Sequence, residues 1–131
     1  MPGIFSKIIA GEIPSYKIAE DEHFFAFLDI HPLAKGHVLV IPKLEIDKAF
    51  DLPKDILAQW LVFAQPIAKA IEKSFPCNRC GVSILGLEVP HAHMHLVPIS
   101  QGTDLNFDNP KLQLSPEEFL GVQNVLLKAL K

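Results

Sequence analysis

The sequence predicts an α+β domain, an antiparallel sheet packed by one long helix and a C-terminal helix. Three observations carry the prediction. Short runs at 16–20, 24–28, 37–41, 81–85 and 91–97, alternating or rich in β-branched residues, are separated by turn residues. Apolar residues at helical spacing run from Leu52 to Phe75. Ser115-Pro116-Glu117-Glu118 spells the opening of a final helix, with Ser115 as N-cap, Pro116 at the first helical position and Glu118 closing a capping box.

The remaining elements follow in chain order. Ile4, Phe5, Ile8 and Ile9 have helical spacing and are followed by Gly11, so a short N-terminal helix is expected before a turn at Ile13-Pro14-Ser15. Tyr16 to Glu20 and Phe24 to Leu28, divided by the polar Asp21-Glu22-His23, read as a hairpin. Asp29 to Gly36 carries Pro32 and Gly36 and reads as a loop, which makes His23 and His31 loop residues and not ligands. His37 to Ile41 is a central strand closed by Pro42. In the long helix Asp51 is the expected N-cap, Pro53 suits the first turn, Pro66 should kink the middle, and the stripe through Trp60 packs the core. Gly81 to Leu85 reads as a strand broken by Gly86, and Gln101 to Leu114 as a loop.

Composition narrows the function. The 131 residues make one domain, long enough for a hydrophobic core. A net charge of -3 gives no basic footprint for a nucleic-acid polymer, while single nucleotides stay open. The hydrophobic content of 49% leaves room for a buried oligomer face. No apolar run approaches the ~20 residues that cross a bilayer. The N-terminus lacks a basic segment followed by a long apolar stretch, so a cytoplasmic location without a membrane partner is expected. Cys77-Asn78-Arg79-Cys80 is a lone CxxC with half the ligands of a structural zinc site and is read as coincidence.

The chemistry concentrates in His91-Ala92-His93-Met94-His95-Leu96-Val97, three of the six histidines at every second position, bracketed by Pro90 and Pro98. On a strand all three imidazoles share one face, expected to be wet, while Ala92, Met94 and Leu96 point into a core. An ordinary polar strand face is a poor account, since histidine has no special strand propensity. A metal site is the second account, but His91 and His95 lie about 13 Å apart along a strand, so at most two of the three share one ion. Metal-free chemistry, in which one imidazole attacks while its neighbours orient it and handle protons, uses all three.

This run fits the His-φ-His-φ-His-φ-φ pattern (φ apolar) and resembles the signature of the histidine-triad (HIT) family, closest to its Hint-like branch. Ile4 to Pro14 resembles that family's opening segment, Phe27-Leu28-Asp29-Ile30 its ribose-contacting corner, and Gly36 to Lys43 its second signature, in the family's order. The resemblance implies a HIT-like fold in a homodimer, and hydrolysis at the α-phosphate of a nucleoside monophosphate derivative, with a purine nucleotide of AMP type as substrate and no cofactor. It makes His93 the nucleophile that becomes nucleotidylated, His95 the phosphate contact, and His91 and His37 the supports. Asp29 would hold ribose hydroxyls, and Ile4, Phe5, Ile8, Phe27 and Ile30 would form the apolar base pocket.

The nucleophile needs a backbone carbonyl or similar acceptor to hold its other nitrogen, and a protonated second imidazole would offset phosphate charge. Gly86-Leu87-Glu88 stands where the family often carries Gly-Gln-Ser/Thr, placing Gly86 and Glu88 beside the leaving group with an unexpected carboxylate. Gly3 and Ser6 occupy positions that are cysteines in zinc-binding relatives, so no metal is expected there. Two rivals remain. One is a metal-dependent hydrolase, since His91, His93 and Asp104 reproduce a His-x-His-x10-Asp spacing. The other is a nucleotide-binding sensor or scaffold with slow turnover.

Overall fold

The computed structural model describes residues 2–131. Its elements are α1 (Ile4–Ile9), β1 (Lys17–Glu20), β2 (Phe24–Leu28), β3 (Val38–Pro42), α2 (Lys54–Ser74), β4 (Arg79–Ser83), β5 (Met94–Ile99) and α3 (Pro116–Ala129), with 3-10 turns at Ala49–Asp51 and Gly102–Leu105. The strands form one antiparallel sheet in the order β1-β2-β3-β5-β4. This is the α+β architecture expected from the sequence.

Alternation along the central strands builds two cores. Phe24, Ala26 and Leu28 of β2, Val38 and Val40 of β3, and Met94 and Leu96 of β5 meet Ile56, Trp60, Ile67 and Ile71 of α2 and Phe119, Val122 and Leu126 of α3. The opposite face packs Phe25, Phe27, Leu39 and Ile41 against Phe5 and Ile8 of α1. Trp60 is buried, and its indole N–H donates to the Val40 carbonyl at 3.1 Å, which joins α2 to the sheet by more than apolar contact.

Local signals hold where the chain is free to follow them. Ser115 Oγ accepts from Glu118 N at 3.1 Å and Glu118 Oε1 accepts from Ser115 N at 3.0 Å, the reciprocal cap expected of α3. Asp21 closes the hairpin by accepting from the amides of His23 and Phe24. Three expectations shift. Asp51 is not the cap of α2, because Leu52 before Pro53 is extended and Pro53 is too, delaying the first helical residue to Lys54. The helix then runs uninterrupted through Pro66, with Leu61 on its exposed side. The strand expected at 81–85 lies at 79–83, where it pairs with β5 from Arg79 opposite Ile99 to Ser83 opposite His95. The loop 101–114 contains the turn at 102–105, capped by Asp104.

Gly36 ends the loop that leads into β3, and its φ of +98° is a conformation that L side chains rarely adopt. A Cβ there would also lie 2.7 Å from the Phe75 ring. Gly36→Ala is therefore expected to lower the free energy of unfolding by about 2 kcal/mol or more, measured by urea denaturation followed through Trp60 fluorescence. A variant as stable as the parent would refute the assignment of this glycine to backbone geometry and close approach.

Candidate functional site

The four histidines of interest converge on the α1 side of the sheet. Leu39 pairs with His95, so that ring stands on the face opposite the main core, and His37, just before β3, shares the parity of Leu39. His91 and His93 keep the same alternation but precede the strand. The β3–β5 ladder stops at Val40 and Met94; the Pro42 carbonyl is taken by the His91 ring at 2.7 Å and the Ala92 amide goes to Ile46 O at 2.7 Å. The expected strand 91–97 is thus half strand and half bound irregular chain.

The histidine face is not wet. His91, His93 and His95 are 1%, 6% and 8% exposed and His37 is 1% exposed. Phe5 of α1 meets His91 and His93 edge-on, with ring centroids at 5.6 and 5.2 Å, and Phe107 from the β5–α3 segment lies 4.5 Å from His95. The alternation predicted a shared face; what covers it comes from residues distant in sequence.

Burial makes every ring nitrogen need a partner, and those partners assign the protons. The Leu33 amide donates to His37 Nδ1 at 2.9 Å, so the proton of neutral His37 sits on Nε2. That Nε2 donates to His95 Nδ1 at 2.9 Å, which leaves the His95 proton on Nε2. His93 Nδ1 donates to the His91 carbonyl at 2.7 Å, leaving Nε2 as its basic nitrogen. The acceptor is a backbone carbonyl two residues earlier, in the irregular chain before β5, and it fixes the His93 tautomer. His91 Nε2 donates to Pro42 O, and its Nδ1 is buried without a partner.

Desolvation holds the supporting rings neutral. It is the largest cause pushing His37 down to about 3, with His95 and Lys111 adding to it. It likewise pushes His95 down to about 4, assisted by His93. His91 is lowered chiefly by desolvation, against the bond to Pro42. The expected protonated second imidazole is therefore replaced by a neutral one whose Nε2–H is a hydrogen-bond donor. Asp29 is raised by desolvation, opposed by the bond from the His31 amide. Its Oδ2 lies 3.4 Å from His37 Nε2, a contact between a carboxyl and a neutral ring and not an ion pair.

Asp29, Gly86, Glu88, His93 and His95 line one cavity of about 520 Å³ beside the histidines. Sequence reasoning missed Phe107 and Lys111 on the same wall; an aromatic ring inside an otherwise polar segment was the one available signal. The residues expected to hold a base separate into two groups. Phe5, Ile8 and Phe27 are buried in the second core, whereas Ile4 and Ile30 are 51% and 59% exposed. None of the five lines the cavity itself.

The donor chemistry does not fit a resident metal ion. Asp29, His37 and His95 bring one ligand atom each within 4.8 Å of one another. Yet His37 Nε2 carries the proton that the Leu33 amide forces upon it, and a metal would need that nitrogen bare. Asp104 accepts from the amides of Ser100 and Gln101 at 2.8 and 3.0 Å, and among the described residues His91, His93 and Asp104 do not bring their ligand atoms together, so the His-x-His-x10-Asp set does not assemble. Gly3 N and Ser6 Oγ, with no thiolate to offer, both donate to Glu45 Oε1, at 2.8 and 2.6 Å. The Cys80 thiol is pushed up to about 12 by burial and then by Glu72, which disfavours the thiolate that metal binding uses.

The depressed His37 and His95 values have a consequence for acid stability. Between these values and the ordinary 6.5, the unfolded chain binds protons that the folded chain refuses. Their contribution is fully present above about pH 6.5 and is lost as pH falls toward 4 and then 3, with a slope of about 1.4 kcal/mol per pH unit for each ring. Denaturant unfolding at about pH 7 and about pH 5 should show the loss; equal stability at both would contradict neutral, buried rings.

Comparison with known proteins agrees with this geometry. The HIT domain family matches residues 10–102. Adenosine 5'-monophosphoramidase HNT1 of Saccharomyces cerevisiae is 43% identical over 100 residues, 72% of this chain and 61% of that one, so the match spans about three fifths of the relative's length. Adenosine 5'-monophosphoramidase hnt1 of Schizosaccharomyces pombe is 34% identical over 133 residues, covering 100% of both. Among solved structures, a zinc-bound histidine triad family protein from Mycobacterium smegmatis superposes with a TM-score of 0.83 at 32% identity, over 99% of this chain and 94% of that one. With the histidine array, the five-stranded sheet and these matches in agreement, the chain belongs to the HIT family.

Proposed function

We propose that the protein hydrolyses nucleoside 5'-phosphoramidates, or related derivatives of a purine nucleoside monophosphate such as AMP, through a covalent nucleotidyl-His93 intermediate. The observation that carries this reading is the opposite proton assignment of two neighbouring rings. His93 offers its basic Nε2 and His95 carries a proton on Nε2, 5.1 Å apart between centroids and lining one cavity. A nucleophile and a donor side by side are what displacement at phosphorus requires.

In this mechanism His93 Nε2 bonds to the α-phosphorus as the bond to the leaving nitrogen breaks; that nitrogen takes a proton from solvent and departs as the amine, the proton being returned when water hydrolyses the adduct, and the His91 carbonyl steadies the positive charge that develops on the ring. His95 Nε2–H donates to the phosphate as charge redistributes. Water then attacks phosphorus, the P–Nε2 bond breaks, and the nucleoside monophosphate departs with the ring restored. Asp29 accepts ribose hydroxyls, Gly86 and Glu88 flank the leaving group, and the exposed Ile4 and Ile30 supply apolar surface for the base, while Phe5, Ile8 and Phe27 stay in the second core. The names of the two fungal relatives support the phosphoramidate class. A second reading, a nucleotide sensor with slow turnover, is favoured by Leu87-Glu88, exposed at the cavity where amide and hydroxyl donors were expected.

Mixing the protein with adenosine 5'-phosphoramidate is expected to release AMP and, on rapid quenching, to leave a nucleotidyl adduct by intact mass. His93→Ala should lower turnover by about a thousandfold or more and abolish the adduct. Release at the parental rate from that variant would sink the mechanism, and binding without release from wild type would favour the sensor.

A homodimer joined along β4 belongs to the same reading. β4 is an edge strand carrying Val82 with Ile84 and Leu85 beyond it, all exposed, next to the exposed Leu61 and Val62 of α2. Val62→Glu with Val82→Glu should convert a dimer to a monomer in analytical ultracentrifugation. A monomeric parent would overturn the assembly.

A further inference from the structure

A nucleotide phosphate entering the cavity meets carboxylates. Asp29, Glu88 and Asp108 all line it, and burial holds two imidazoles of the array neutral: His95, at the wall, is pushed down to about 4, and His37 behind it to about 3. Among the lining residues one is a lysine, Lys111, from the segment between β5 and α3, and no arginine joins it. We propose that Lys111 is the cation that binds the substrate's phosphoryl group, a phosphate-contacting residue held ready by the fold of this segment. The proposal rests on the nucleotide-hydrolase reading and adds a residue to it.

The segment holds the ammonium in place before any ligand arrives. Lys111 Nζ donates to the carbonyl of Phe107 and, at 3.0 Å, to that of Asn109, which leaves the third N–H of the ammonium for a ligand. The turn around it is tied down in turn: Asn109 Nδ2 donates to Thr103 O at 2.7 Å and Leu112 N donates to Pro32 O at 2.8 Å, the latter bringing the segment against the Asp29–Gly36 loop. The Phe107 ring lies against His95, so the residue that orients Lys111 also touches the donor imidazole. Lys111 acts electrostatically on both Asp29 and His37, favouring the ionised carboxylate and the neutral ring, which places its charge on the histidine side of the cavity. A charge-assisted bond from an oriented ammonium needs little reorganisation when phosphate arrives.

The rival role is purely structural, a clip that closes the turn through two carbonyls. Titration of wild type, Lys111→Met and Lys111→Arg with AMP and with adenosine separates them, because adenosine has the base and ribose but no phosphate. Lys111→Met is expected to weaken AMP by about tenfold or more while leaving adenosine unchanged, and Lys111→Arg to stay within about threefold of wild type for both. Unchanged AMP affinity in Lys111→Met overturns the proposal, and so does an equal loss for adenosine, which is what a broken clip would cause. These titrations involve no bond cleavage, so they read Lys111 even if His93→Ala were to retain activity and the covalent mechanism fell. A wild type that bound neither ligand would overturn both.

Discussion

The Leu33 amide donates to His37 Nδ1, and the proton positions of His37 and His95 descend from that bond. A peptide N–H cannot accept, so His37 can only present Nε2–H, His95 can only receive at Nδ1, and His95 Nε2 can only donate toward the cavity. The loop that brings Leu33 within reach is short and specific: Asp29 Oδ1 accepts from the His31 amide, His37 N donates to Ala34 O, and Gly36 turns the chain into β3 through a positive φ. A polar relay inside an apolar shell tolerates no second arrangement, because reversing one ring would set two donors against each other at 2.9 Å.

Neutrality is the second half of that constraint. Sheet residues on one side, Phe5 and Phe107 on the other, exclude water from the rings and make the charged forms costly. Which ring presents a bare nitrogen to the cavity and which presents an N–H is thereby set by orientation and not by charge. The buried rings need partners in turn, and the His91 ring finds one by donating from Nε2 to Pro42 O at 2.7 Å. His91 thereby ties the approach to β5 to the end of β3, the position from which His93 takes its carbonyl.

How much of this was legible in the sequence depends on how far the information had to travel. The cap of α3, the β1–β2 hairpin and α1 with Gly11 behind it are decided by neighbours within a few residues, and they fold as read. The phase of the histidines was legible too, since alternation puts Ala92, Met94 and Leu96 in the main core whatever else the chain does. Their burial was not, because Phe5 and Phe107 arrive from 86 and 12 residues away when counted from His91 and His95. Asp51 misled for a subtler reason: the backbone restriction imposed by Pro53 on Leu52 outranked the capping preference of an acidic side chain. Lys111 carried no local mark at all, as its position depends on how a long polar connection folds back over the sheet.

Three of the four imidazoles are oriented by main-chain groups: His37 by Leu33 N, His91 by Pro42 O and His93 by His91 O. Side chains around the cavity can therefore be exchanged over evolutionary time without rewiring the protons, since amides and carbonyls persist through every replacement except proline. Replacing Leu87 or Glu88 would change what the cavity presents to a ligand without touching the bonds that place the ring protons.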